Sequence, residues 1–135
     1  MERFIKAHGY YYDNAISELK NGRKLSHWMW YIFPQVLGLG SSATSEFYGI
    51  KDLDEAREYL NNELLKSHLD ECCEVLLNLE SNNALEIFGY PDNLKLKSSM
   101  TLFILASNDD LLYKQVINKF FDGELCNNTV RLLNK

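Results

Sequence analysis

Three stretches of this chain hold residues whose types and spacing could do chemistry. The first is Ser26-His27-Trp28-Met29-Trp30-Tyr31-Ile32-Phe33-Pro34-Gln35. His27 is of the residue type that most often serves as a general acid or base, with flanking aromatics to exclude water. Trp28, Trp30 and Tyr31 offer faces on which a planar ligand can stack, and Gln35 joins them in the candidate binding set. The second stretch is Gly38-Leu39-Gly40-Ser41-Ser42. Gly38, Gly40 and Ser41 present free amides and a hydroxyl, as anion-holding loops do. It lacks the Gly-Lys-Ser/Thr ending of a P-loop and opens no long helix after a strand. The third runs from Asp92 to Thr101. On a helix Asp92, Lys95 and Ser99 share a face at i, i+3 and i+7, with Ser98 beside them. Lys95 can hold a phosphate or carboxylate, the serines adding hydroxyls, and a Ser–Lys nucleophile pair is conceivable.

Each stretch also has a plainer reading. His27 can be a buried histidine satisfied by a backbone carbonyl, and the aromatic run can be core. The glycines can make a tight connection after Pro34. The face carrying Lys95 can be solvated, with an ion pair worth under ~1 kcal/mol.

The elements that must position these residues are helices. Phe4, Ile5, His8, Tyr11, Tyr12, Ala15, Ile16 and Leu19 recur at helical spacing over 2–20, and Asn21-Gly22 caps the end. Residues 26–34 predict a short helix, apolar on every side, capped by Ser26 and stopped by Pro34. Residues 46–50 fit either a strand fragment or a turn of helix. Asp52 or Asp54 opens a helix to Leu60, and a long amphipathic stripe follows from Leu64 to Leu79. Ala84 to Phe88 is a helical turn ended by Gly89. Further helices open at Pro91-Asp92, at Asn108-Asp109-Asp110 and at Asn127 or Asn128. With no hairpin, repeat or linker, residues 1–135 predict a single all-α globular domain. It has about six to eight uneven helices, and their unequal lengths argue against an up-down bundle.

Composition narrows the function classes. A hydrophobic fraction of 46% with 24% charged residues is that of an ordinary globule able to build one core. The net charge of −5 and the lack of a basic stripe argue against a nucleic-acid or membrane surface. Three cysteines, Cys72, Cys73 and Cys126, make no disulfide framework and point to a reducing, cytoplasmic setting. Cys72 and Cys73 lie on an apolar stripe and read as core. Charged Glu2 and Arg3 after Met1 predict no signal segment, and no apolar run predicts a spanning helix. His8 and His68 have no ligand spacing, so neither a metal site nor a cofactor is expected.

The order of motifs resembles a known family. Gly22-Arg23-Lys24, then Ser26-His27-Trp28-Met29-Trp30 and Phe33-Pro34-Gln35, carry the likeness. So do Gly38 to Ser42, Tyr48-Gly49-Ile50, Leu53 to Leu60, Asp92 to Phe103, Phe120-Phe121-Asp122-Gly123 and Thr129 to Leu133. These stretches are similar to a family of small, mostly bacterial multihelical proteins classed as domain of unknown function 1810, some of which bear the label "calpastatin". The resemblance spans nearly the whole chain. It implies a multihelical domain and no settled activity. The label implies a protease inhibitor, but such inhibitors are extended and disordered, unlike this aromatic-rich chain.

Two functions remain in view. In the first, the 27–35 segment, the 38–42 loop and the start of the Asp92 helix wall a pocket for a planar anionic small molecule, a nucleotide or ADP-ribose derivative. Were it hydrolysed, His27 would be the acid or base and Lys95 the anion holder. There is a similarity of kind, without matched residues, to another all-helical family that acts on ADP-ribose-related N-glycosides. In the second, the chain is a non-enzymatic interaction or regulatory module with an unknown protein partner. The two differ in whether His27, Lys95 and a tryptophan edge converge on one open cavity.

Overall fold

A computed structural model describes residues 1–134. Nine helices occur among them: α1 (Glu2–Lys20), α2 (Met29–Ile32), α3 (Ala43–Tyr48), α4 (Leu53–Asn61), α5 (Glu63–Asn78), α6 (Ala84–Phe88), α7 (Asp92–Ala106), α8 (Leu111–Phe121) and α9 (Asn127–Leu133). The fold is all-helical, with lengths from 4 to 19 residues. The count exceeds the expected six to eight by one, because α3 stands as a helix of its own beside the segment that fitted either a strand fragment or a turn. No helix among the described residues is long and apolar enough to cross a membrane.

The fold is built around α7, which packs against α4, α6, α8 and α9. Leu96, Met100, Thr101, Leu102, Phe103 and Ile104 are buried around its circumference, as a helix apolar on all sides must be. The aromatic run at 28–33, expected to be such a helix, instead forms only the four residues of α2. Its side chains still enter the core: Trp28, Met29, Ile32 and Phe33 are buried, and Tyr31 partly so. A second layer forms where α1 packs on α5 and α2, and α5 on α8.

Short polar side chains set most helix starts. Asp52 accepts from the Glu55 amide, Asn62 from Leu65, Asn83 from Leu85 and Glu86, and Asp110 from Leu112. Each satisfies an amide that the first turn leaves orphaned. Ser26 departs from expectation. It does not cap α2, because its hydroxyl is committed to Glu18. Neither Asn127 nor Asn128 caps α9, whose cap position is Cys126. The ambiguous 46–50 segment is both things in turn. Helix α3 ends at Tyr48, and Ile50 then forms an isolated parallel bridge with Val36. Its two hydrogen bonds, Leu37 N to Ile50 O and Ile50 N to Gln35 O, pin the chain at Gln35.

The seam between α1, α2 and α5 holds a buried polar pair. His8 Nε2 lies 2.8 Å from the Tyr31 carbonyl, and His8 Nδ1 lies 2.8 Å from His68 Nδ1. The carbonyl can only accept, so Nε2 carries the His8 proton, and Nδ1 must accept from His68. Tyr12 stacks on the His68 ring at 3.5 Å and donates its hydroxyl to Glu71, while the Tyr59 hydroxyl closes the far side of His8. A second proton on His8 would set two N–H groups against each other. Burial and then the neighbouring His68 hold the His8 pKa down to about 4, although the Tyr31 carbonyl pulls the other way. Burial likewise lowers His68 against the pull of Glu71 and Asp13.

The unfolded chain takes up the His8 proton near pH 6.5, whereas the native chain resists it until about 4. Stability is therefore whole above pH 6.5 and drains as pH falls towards 4, on the order of 3 kcal/mol in all. Urea unfolding at pH 7 and 4.5 checks this, and His8→Asn, which does not titrate, should flatten the loss.

Candidate functional site

Two concavities share one wall. The larger, about 960 Å³, lies between the first turns of α7, the connection after α2, and the segment leading into α9. Gln35, Gly40, Lys95, Lys97, Cys126 and Arg131 are among its lining residues. The smaller, about 320 Å³, is lined by Lys24, His27, Tyr31, Ser42, Thr44 and Asp92 among others. Trp30 and Lys95 line both. Both volumes fall within or near the range of small-molecule sites, about 300–1,000 Å³.

The structure brings several of the expected residues together. His27, Lys95, Trp28, Trp30 and Tyr31 all border the smaller concavity. His27 is exposed, and its ring has no hydrogen-bond partner among the described residues. The buried histidine satisfied by a carbonyl is His8 instead. Trp28 is fully buried and gives its indole N–H to Glu18 at 2.9 Å, so only its rim reaches the hollow. Tyr31 is held by rings at 4.8 Å from Tyr11 and 4.6 Å from Tyr48. The aromatic wall is thus mainly core, with the largely buried Trp30 the one ring that borders both hollows.

Gln35 and Ser98 line the larger concavity, both buried. The Gln35 Nε2 has no hydrogen-bond partner. Gly40 lines it too, and here a side chain has no room: a Cβ would stand 2.8 Å from the Ser45 Cβ. Gly38 has φ of +106°, which favours glycine, but it faces a side hollow against Leu132. Ser41 is exposed and lines neither concavity. Ser99 is fully buried with its hydroxyl unpaired, because α7 enters the core beyond its first turns and carries that face inward.

The charges follow from two networks. Asp92 pairs with Lys24 at 2.7 Å and with Lys95 at 3.1 Å. Burial opposes its charge, yet hydrogen bonds from Lys24 and Lys95 hold the carboxyl below its usual range. Lys24 also donates to the Ser26 carbonyl and sits 5.1 Å over the Trp28 ring. Lys97 pairs with exposed Glu124 at 2.9 Å. The lining therefore carries Lys24, Lys95, Lys97 and Arg131 against Asp92 and Glu124. Sequence reasoning assigned no role here to Lys24, Lys97, Cys126 or Arg131. Lys24, Cys126 and Arg131 reach the site from loops and a distant helix, and Lys97 from a face of α7 other than the one that carries Lys95 in the sequence reading.

The second network fixes the loop before α2. The Glu18 carboxylate accepts from the amides of Leu25 and Ser26, the Ser26 hydroxyl and the Trp28 indole. Burial works against its charge, but the Ser26 hydroxyl, the two amides and the indole together hold the carboxyl down at about 2. Deleting it orphans a fully buried indole N–H and frees the loop. Glu18→Ala should therefore cost about 2–4 kcal/mol in urea unfolding. Adding Trp28→Phe, which removes the orphan donor, should cost less in the Glu18→Ala background than in the parent.

Chemically, this arrangement can hold an anion at Lys95 beside an aromatic edge. Acid–base work by His27 would lack the usual orienting partner, because Asp92, on the same wall, is engaged by two lysines. Among the described residues no group of three or more His, Cys, Asp or Glu side chains is placed to hold a metal.

Comparison with other proteins agrees with the fold. The chain is similar to the crystal structure of the conserved hypothetical protein Rv1873 from Mycobacterium tuberculosis, at 42% identity and a TM-score of 0.96, covering 99% of this chain and 96% of that one. Among curated proteins, none matches it. The sequence profile described as "Protein of unknown function (DUF1810)" matches residues 1–133, and the chain belongs to that family.

Proposed function

We propose that the paired concavities bind a planar, anionic small molecule, a nucleotide or an ADP-ribose derivative being the concrete form. The observation that carries this reading is the position of Lys95 and Trp30 on the shared wall. One wall thus offers a cation beside an aromatic edge, with a hollow on either side.

Charge supports the reading. The chain is −5 overall, yet the concavities collect Lys24, Lys95, Lys97 and Arg131. Such local inversion concentrates anions at a cleft. The two hollows suit a ligand with two parts, phosphates at the lysines and a ring near Trp30 and Gln35. His27, exposed at the rim of the smaller hollow, is the candidate acid or base if the ligand is turned over. Binding is the function favoured here, since no carboxylate orients that ring.

A thermal-shift screen against nucleotides, NAD and ADP-ribose tests this. A ligand at about 100 times its Kd adds about 2.7 kcal/mol, or about 10 °C for a chain of this size. The shift should vanish in Lys95→Ala and persist in His27→Ala, which leaves the anion holder in place. Silence across the panel, with both variants folded, would favour the interaction module.

A further inference from the structure

The three cysteines occupy opposite environments. Cys72 and Cys73 are buried on the core face of α5, where Cys73 lies 3.7 Å from the Met100 sulfur. Burial, and then nearby Glu71, pushes the Cys72 thiol up to about 12, and burial raises Cys73 well above the ordinary thiol value. Both are inert as nucleophiles while the core is closed. Cys126 instead lines the larger concavity, together with Lys95, Lys97 and Arg131.

Donors surround the Cys126 sulfur. The Ser98 hydroxyl lies 3.4 Å away. The Thr129 hydroxyl, one turn on, is fully buried with no hydrogen-bond partner within the protein. Burial alone would raise the thiol. The Ser98 hydroxyl, and after it the hydroxyl and amide of Thr129 and the amide of Asn128, draw it below its ordinary value. In the same concavity the buried Gln35 Nε2 has no hydrogen-bond partner within the protein.

We propose that Cys126 is a modification site that takes up anionic disulfides by thiol–disulfide exchange, with the lysines of the cleft selecting the partner. In the step, Cys126 first gives its proton to water. Its sulfur then attacks one sulfur of R–S–S–R, a new S–S bond forms, the old one breaks, and R–S⁻ leaves with the electron pair. Cys126 is oxidised to a mixed disulfide, and one sulfur of the co-reactant is reduced to a thiolate. Cys72 and Cys73 are shut in the core and cannot resolve the adduct, so it persists until an external thiol removes it. The proposal shares the cationic cleft with the reading above but does not require a nucleotide.

The test uses three disulfides of different charge: anionic dithiodipropionate, neutral hydroxyethyl disulfide and cationic cystamine, whose leaving groups differ in reactivity. Each rate with the folded full chain is divided by the rate of mercaptoethanol with the same probe. Mass spectrometry should find one adduct, on Cys126, and none in Cys126→Ser. The normalised rates should fall from anionic to neutral to cationic, spanning about 10-fold or more at low salt. The spread should shrink in Lys95→Gln, in Lys97→Gln and at high salt. Both variants remove charge at partly exposed positions, and their thermal unfolding confirms that they are folded. Equal normalised rates, the reverse order, an adduct on Cys72 or Cys73, or an unmodified Cys126 would each overturn the proposal. A silent nucleotide screen beside a charge-ordered Cys126 would sink the nucleotide reading alone. Equal rates sink this proposal whatever the nucleotides do.

Discussion

The candidate site depends on one carboxylate. Glu18, in the last turns of α1, takes four hydrogen bonds from residues 25–28 beyond the helix end. A charged acceptor inside a ring of donors forms short, strong bonds and resists protonation. It fixes the path of the chain between α1 and α2, and the rest of the site follows. Ser26 and Trp28 are drawn inward, so His27 between them is turned out to the rim. Lys24 is placed to reach Asp92 at the start of α7, and Trp30 comes to the shared wall.

A second constraint is the sharing of Asp92 between Lys24 and Lys95. Lys24 is almost wholly buried at its side chain, and a buried cation needs a counter-charge. Asp92 supplies it and so ties the loop before α2 to α7. One carboxylate cannot neutralise two ammonium groups. The surplus positive charge remains at Lys95, the more exposed partner, facing both hollows. Structural need and anion affinity thus arise from the same triad. In the same way Gly40 is dictated by packing against Ser45, and that close approach shapes the mouth of the larger hollow.

Periodicity and capping made most of the helices legible. The stripe from Leu64 to Leu79, the turn from Ala84 to Phe88 and the closing pair Asp122-Gly123 follow from local chemistry and stand where expected. The short segments were harder, because tertiary contacts outweigh propensity there. Ser26 satisfies the pattern of a helix cap, yet Glu18 takes its hydroxyl. Residues 46–50 combine a helix end and a bridge residue, so neither period fits them. Within the site, His27, Lys95 and Trp30 could be nominated by residue type. Cys126 and Arg131 could not, since their relevance lies in which segments face α7, and Lys97 lines the hollow only because the segment leading into α9 packs beside it. The pairing of His8 with His68, 60 residues apart, has no local signature either.

Lys95 and Trp30 stand on one wall between the two hollows, and the chain's two tryptophans permit a direct test of what they bind. Trp28 is locked to Glu18 in the core, while Trp30 borders both hollows. In a nitrogen-edited NMR spectrum the two indole N–H groups give two signals, assigned by Trp28→Phe and Trp30→Phe. During titration with ADP-ribose the Trp30 signal should move and saturate, and the Trp28 signal should hold still. In Lys95→Ala the Trp30 signal should stay in place over the same range. A Trp30 signal that never moves, or that moves equally without Lys95, would contradict the account.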